Sequence, residues 1–268
     1  MILPFFQVDA FASAPIGGNP AAVMPLDEWL PDATLQAIAA ENNLSETAFT
    51  VPEADVAADA DADADFHLRW FTPTVEVDLC GHATLAAGHV LLHGKRIRFR
   101  TRSGILTVQP GNDGVLWLDL PASPVAPAAA VPGLLEALGL PGDLPVVRGT
   151  GGNGAAIVVL ADEAAVRAVA PDFARLRAID SLVIVTAPGD DHDIASRVFA
   201  AYHGIDEDPV TGSAHAALVP YWAARLGRTR FTAWQASARG GLLDCRLEGD
   251  RVALGGRCVT VIEGSFQL

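Results

Sequence analysis

A cysteine and a histidine stand two residues apart in VDLCGHATLAAG, Val77 to Gly88, at what reads as a helix start. A thiol beside an imidazole suits four uses: half a metal site, an activated nucleophile, a proton-transfer base, or a buried small residue. No further ligands stand at zinc-like spacing around Cys80 and His82, so no metal is expected. His89 and His93 lie four apart in HVLLH, yet no acid separates them and no third ligand follows. They read as C-terminal helix residues that complement the dipole. Glu46, in the strand-like NLSETAF, shares a face with Leu44 and Ala48 and on pattern alone reads as a surface glutamate. Asp208, in DEDPVTGSAH, either caps a second helix or touches a ligand, and Thr211 and Ser213 are open to the same two readings.

The elements that must hold these groups are written twice along the chain. GGNPAAV from Gly17 recurs as GGNGAAI from Gly151, with five identities at an offset of 134. Asp27-Glu28 and Asp162-Glu163 each open a helical segment, and Arg69-Trp70-Phe71 matches Arg197-Val198-Phe199. Cys80-Gly81-His82-Ala83 then faces Thr211-Gly212-Ser213-Ala214, with helix stops at Gly94-Lys95 and Gly227-Arg228. RSGILTV from Arg102 parallels RGGLLDC from Arg239 as strand and turn. The first copy carries about seven extra residues, accounted for by EADVAADADADAD, Glu53 to Asp65, which reads as a solvated loop insertion.

The repeat predicts an α+β fold of two pseudo-symmetric barrel-like halves, each a curved mainly antiparallel sheet around a central helix. Residues 1–121 with 257–268 form the first half and residues 122–256 the second, Val259 to Phe266 being a last strand that returns to the first. The cleft between the halves is the expected ligand site. Two helix starts would present unpaired N–H groups there, suited to a carboxylate, with the small residues Gly81 and Gly212 allowing close approach. GTGGNG, Gly149 to Gly154, matches GxGxxG, but the β-branched AAIVVL follows where a nucleotide site needs a helix. No nucleotide cofactor is expected.

Composition narrows the partner. Half of the 268 residues are apolar, enough for a sizeable core, and the net charge of −14 argues against nucleic acid or an anionic membrane. A small molecule is the better default. Cys80, Cys245 and Cys258 are odd in number and widely spaced, which suits reduced thiols and not a disulfide framework. MILPFF lacks a basic start, and no run approaches bilayer length, so a cytoplasmic protein is expected.

GGNPAAV, NLSETAF, the GHAT helix start and EDPVTGSA, in this order, resemble the PhzF-like phenazine-biosynthesis isomerase family, which has the diaminopimelate epimerase fold. The resemblance runs from about Val8 to the EGSF near the C-terminus. It implies cofactor-free proton transfer on a small carboxylic acid, with Glu46 as the base and His82 and Asp208 orienting polar substituents. It places Asn19, Cys80, Gly81, Thr211, Gly212 and Ser213 around the substrate, and a homodimer as the assembly. Desolvation would raise a glutamate towards neutrality, and helix dipoles would stabilise developing negative charge. Epimerases of this fold oppose two cysteines, whereas Cys80 here faces Thr211, so a two-thiol racemase is not implied. An amino-acid epimerase or hydroxy-amino-acid dehydratase using Cys80 is the second reading, and a non-catalytic small-molecule-binding protein the third.

Overall fold

The computed structural model describes residues 1–53, 63–128, 131–149 and 154–268. Most of the Ala/Asp tract and residues 150–153 of the glycine stretch lie outside the described residues. The chain divides into two compact units, Met1–Leu120 with Gly255–Leu268, and Pro121–Leu254. Among the described residues no helix is long and apolar enough to cross a membrane.

In the first unit β1 (Ile2–Ala10) pairs antiparallel with β2 (Asn19–Pro25). Helix α1 (Asp32–Asn42) then carries the chain back, so that β3 (Glu46–Pro52) lies parallel to β2 with Ala21 opposite Glu46. The sequence suggests a start for α1 at Asp27-Glu28; the helix in fact starts after Pro31. A proline that deep in a helix would lack its N–H and clash with the preceding turn, while Leu26 is still bonded to Thr50 of the sheet. Leu35 and Ile38 of α1 pack with Met24, Phe49 and Phe71, and the two phenylalanine rings meet edge to face at 5.7 Å.

Strand β4 (Phe66–Phe71) runs antiparallel to β3, and the short β5 (Glu76–Val77) turns back along it. Helix α2 (Gly81–Leu91) crosses over to β6 (Ile97–Thr101), which is parallel to β4, and β7 (Gly104–Pro110) and β8 (Leu116–Pro121) follow antiparallel. Every residue of α2 from Gly81 to Gly88 is buried. A helix enclosed this way needs small side chains, and a Cβ on Gly88 would sit 2.6 Å from Val108 Cγ1 of β7. The helix ends before the Gly94-Lys95 stop, because the backbone must be extended by Ile97, where β6 buries Ile97 and Phe99.

The second unit repeats this order. It contains β9 (Val125–Pro127), α3 (Leu134–Ala137), β10 (Val146–Gly149), β11 (Ala156–Val159), α4 (Glu163–Ala168), α5 (Phe173–Leu176), β12 (Val183–Pro188) and β13 (Ile194–Ala200). After them come β14 (Ile205–Asp208), α6 (Gly212–Leu226), β15 (Arg230–Gln235), β16 (Gly241–Glu248) and β17 (Arg251–Gly256), whose last two residues belong to the first unit. Asp162 caps α4, its carboxylate accepting from Ala165 N–H. Helix α6 ends on Gly227 in the left-handed region, the stop that the sequence marks. Residues 156–159 form a strand, as AAIVVL predicts, and not the helix a nucleotide fingerprint requires. Strand β18 (Cys258–Gln267) belongs to the first unit, pairing antiparallel with β1 from Ile2 opposite Gln267 to Ala10 opposite Cys258.

The registers repeat as well as the element order. Thr47 stands opposite Phe71 as Val183 stands opposite Phe199, and Trp70 opposite Val77 as Val198 opposite Asp208. Each unit is thus a mainly antiparallel sheet with two parallel crossovers, one of them made by its long buried helix. The fold is α+β.

Candidate functional site

Three chain entries meet in the first unit: the start of β2 at Asn19, the start of β3 at Glu46 and the start of α2 at Gly81. The approach to α2 is held rigidly. Arg69 grips Glu76 of β5 with two parallel bonds of 2.7 and 2.8 Å, and this partner keeps the Glu76 carboxyl below its ordinary value. Cys80 then takes the N-cap position in extended backbone, and its side chain makes no cap bond. Thr84 instead donates its hydroxyl back to the Cys80 carbonyl. The thiol faces the imidazole, Sγ lying 3.5 Å from His82 Nδ1.

His82 is only 3% exposed. Burial drives its pKa down to about 3, opposed by a backbone bond with Pro20, so the ring is neutral near pH 7. Its Nε2 lies 3.2 Å from Glu46 Oε2, off the direction of a hydrogen bond. This is therefore the contact of a neutral ring with a carboxylate and not an ion pair. On the other side of the ring Asn19 Nδ2 is 3.2 Å from Nδ1, while Asn19 Oδ1 accepts from Ser45 Oγ at 3.1 Å. The tautomer is assigned from this amide orientation: Asn19 donates to Nδ1, which leaves the ring proton on Nε2, on the side of Glu46, with the Pro20 carbonyl as the competing acceptor for that proton.

Glu46 corrects the surface reading, since its side chain is only 13% exposed. A two-residue strand pattern does not register that the entry to β3 abuts a helix start. The environment of Cys80 and His82 needs a second correction. The sequence offers them no third ligand, whereas the fold brings the Glu46 carboxylate to them, with one ligand atom from each residue lying within 4.8 Å of the others. His89 bonds Thr260 at 3.0 Å from the last turn of α2, and His93 lies beyond the end of that helix.

The second unit assembles Asp208, Thr211, Gly212 and Ser213 at the start of α6. Arg197 grips Glu207 of β14 at 2.7 and 2.9 Å, the twin of the Arg69 clamp, and also donates to the carbonyl of Val169 at 2.7 Å. Asp208 is buried and accepts a short bond from the Thr211 hydroxyl. Thr211 occupies the N-cap position, yet its side chain makes no cap bond. Gln235 ties the two residues together: its Oε1 accepts from Thr211 N–H at 2.9 Å, and its Nε2 donates to the Asp208 carbonyl at 2.7 Å. His215 Nδ1 lies 2.8 Å from the Thr211 carbonyl, repeating the bond of Thr84 to Cys80. Burial lowers His215 to about 4 against the opposing Thr211 backbone bond, so it too is neutral. Gly212 is buried and Ser213 half-buried.

Ser45 and Gln235 escape the motif reading. Gln235 leaves a usable sign, since Phe231, Ala233 and Gln235 alternate on the buried face of β15 and the last is polar. The registers also show how the copies have diverged. Leu182 precedes Val183 as Glu46 precedes Thr47, and Val77 occupies the register position of Asp208. Each unit has kept one carboxylate at a place where the other is apolar.

A family model described as "Phenazine biosynthesis-like protein" matches residues 8–264. An uncharacterized isomerase of Pseudomonas aeruginosa is 50% identical over 274 residues, covering 100% of both chains. The crystal structure of a phenazine biosynthesis protein of the PhzF family from Enterococcus faecalis is 42% identical, covers 100% of both chains and superposes with a TM-score of 0.87. At the level of fold alone, a hydroxyproline epimerase from Agrobacterium vitis, 11% identical, superposes with a TM-score of 0.58 over 98% of this chain and 92% of its own. With the whole chain matched and the epimerase-like α+β fold in place, the protein belongs to the PhzF-like, phenazine biosynthesis-like family of isomerases.

Proposed function

We propose that the protein is a cofactor-independent isomerase in which Glu46 removes a proton from an activated carbon of a small carboxylic acid and returns it to another carbon of the same molecule. The electron pair released by the C–H bond delocalises towards an adjacent carbonyl or carboxyl group and collapses when the proton returns, so no oxidant or external acid is consumed. One observation carries the reading: the Glu46 carboxylate sits 3.2 Å from a buried neutral imidazole at a helix start. A neutral ring leaves the carboxylate its basicity, where an imidazolium would hold it as an ion pair. The N-terminal N–H groups of α2 supply positive potential for the developing anion. Asp208 and Ser213 are assigned to polar substituents of the substrate.

The test is deuterium incorporation from solvent into candidate carboxylic acids. Glu46→Gln should lower exchange by about 10²–10⁴-fold, the range of general-base effects, with ligand affinity retained; substantial residual exchange would remove Glu46 from the role. Cys80 favours a second reading because its thiol also touches the imidazole. If Cys80→Ala abolishes exchange and Glu46→Gln does not, the epimerase or dehydratase reading replaces the first. Absence of exchange in every acid that binds would leave a binding protein.

A further inference from the structure

Gln235 is fully buried at the end of β15, and its amide makes three bonds, all to the entry of α6. The orientation of that amide is fixed by its partners. Oε1 meets the Thr211 N–H at 2.9 Å, which can only donate, and Nε2 meets the Asp208 carbonyl at 2.7 Å, which can only accept. The contact of Nε2 with the Thr211 hydroxyl at 3.3 Å is therefore a donation to that hydroxyl. Its single proton is turned the other way, towards Asp208 Oδ2.

The other copy of the repeat holds its helix entry without such an amide. Ser103 donates to the Asp78 carbonyl, two residues before Cys80, and Ser237 to the Pro209 carbonyl, two residues before Thr211, each at 2.8 Å. That pin is common to both copies. Thr101 stands opposite Gly104 at the end of β6 as Gln235 stands opposite Gly241 at the end of β15. Yet Thr101 spends its hydroxyl inside its own turn, donating to the Gly104 carbonyl at 2.7 Å and accepting from Ser103 N–H at 3.1 Å. Among the described residues, the added fastening thus belongs to the copy that keeps the buried Asp208, where the first has Val77. Its coincidence with the carboxylate points to a service to the carboxylate and not to the fold.

We propose that Gln235 is a positioning residue: acting through the Thr211 hydroxyl, it fixes the Asp208 carboxylate in the orientation that receives a hydrogen-bond donor of the substrate, a hydroxyl or an ammonium group. This use of Asp208 rests on the isomerase reading. Thr211, at the repeat position of Cys80, is withdrawn from proton transfer by the same bonds, because its proton is committed to Asp208.

Two measurements test this, one of them without reference to activity. In proton NMR the Thr211 hydroxyl of the parent should be protected from exchange with water, and Gln235→Met, which keeps the side-chain length without the donors, should lose about tenfold of that protection. Equal protection in parent and variant overturns the proposal. The second measurement is the kinetics of deuterium incorporation into whichever candidate acid exchanges. Gln235→Met and Thr211→Val should each raise KM about tenfold with kcat little changed, the mark of binding shared by ground and transition states. Partial unfolding would instead lower the active fraction and leave KM alone. In an Asp208→Ala background Gln235→Met should change KM by less than about twofold, and Thr101→Ala should match the parent, with circular dichroism confirming folded variants. A fall in kcat at constant KM, or effects of Asp208→Ala and Gln235→Met that multiply, overturns the proposal. Should Gln235→Met fail to fold, Thr211→Val carries the kinetic test. If no acid exchanges, loss of hydroxyl protection in Gln235→Met upholds the positioning of Asp208 while the isomerase reading falls.

Discussion

The proton on His82 is governed by the Asn19 side chain. Because Ser45 holds Asn19 Oδ1, the amide presents Nδ2 to the ring, and the ring proton is left beside the carboxylate. Asn19→Asp reverses this by placing an acceptor at Nδ1, which draws the proton away from Nε2. Imidazole nitrogen-15 shifts should report the other tautomer, and exchange into a substrate should fall about tenfold or more, as expected when a general-base pair is misprotonated. An unchanged tautomer would remove Asn19 from this positioning role. At this scale the motifs brought the right neighbours together in part. Asn19, Glu46, Cys80 and His82 do meet, although Glu46 on pattern alone looks solvated. Ser45 carried no signal, because one serine before a strand is indistinguishable from an ordinary turn residue.

Among the elements, α2 is the most constrained. Its eight buried residues Gly81 to Gly88 are small or apolar apart from His82 and Thr84, and Gly88 lies where any Cβ meets Val108. In the second copy the equivalent positions are Val219 on the helix and Cys245 on the strand, larger and smaller respectively, and both are buried. Gly88→Ala should therefore overpack the interface and cost about 1–3 kcal/mol. For a chain of this size that is a fall in Tm of roughly 2–10 °C by calorimetry. The duplication made the element order readable from the sequence, because matched motifs carry matched elements. The ends of elements were less readable: Pro31 delays α1, and the demand for extended backbone at Ile97 ends α2 before its glycine. Both boundaries are settled by sheet pairing, which the local sequence does not contain.

For the whole molecule, the buried titratable groups set the response to acid. His215 has a folded-state value of about 4, below the ordinary 6.5, so the unfolded chain binds more protons between these values. Stability should accordingly fall as pH drops from 6.5 towards 4, and further below 4.5 as Glu76, whose folded value is depressed by Arg69, is protonated. His215→Thr preserves a donor to the Thr211 carbonyl, as Thr84 does for Cys80, and should reduce the slope of the first part of a Tm-against-pH curve, leaving the share of His82, which burial lowers likewise, and the second part. An equal slope in parent and variant would show that His215 takes up its proton in the folded chain as readily as in the unfolded one. The pairing of β1 with β18 also bears on how the chain is made. Residues 121–254 are complete before the ribosome has added the strand that the earlier unit lacks. The N-terminal sheet must therefore wait with the edge of β1 unpaired while the later domain matures, and closing it requires contacts of extreme sequence separation. A stalled or truncated chain would expose that edge, which makes residues 258–267 the segment whose loss would be felt first as aggregation during synthesis.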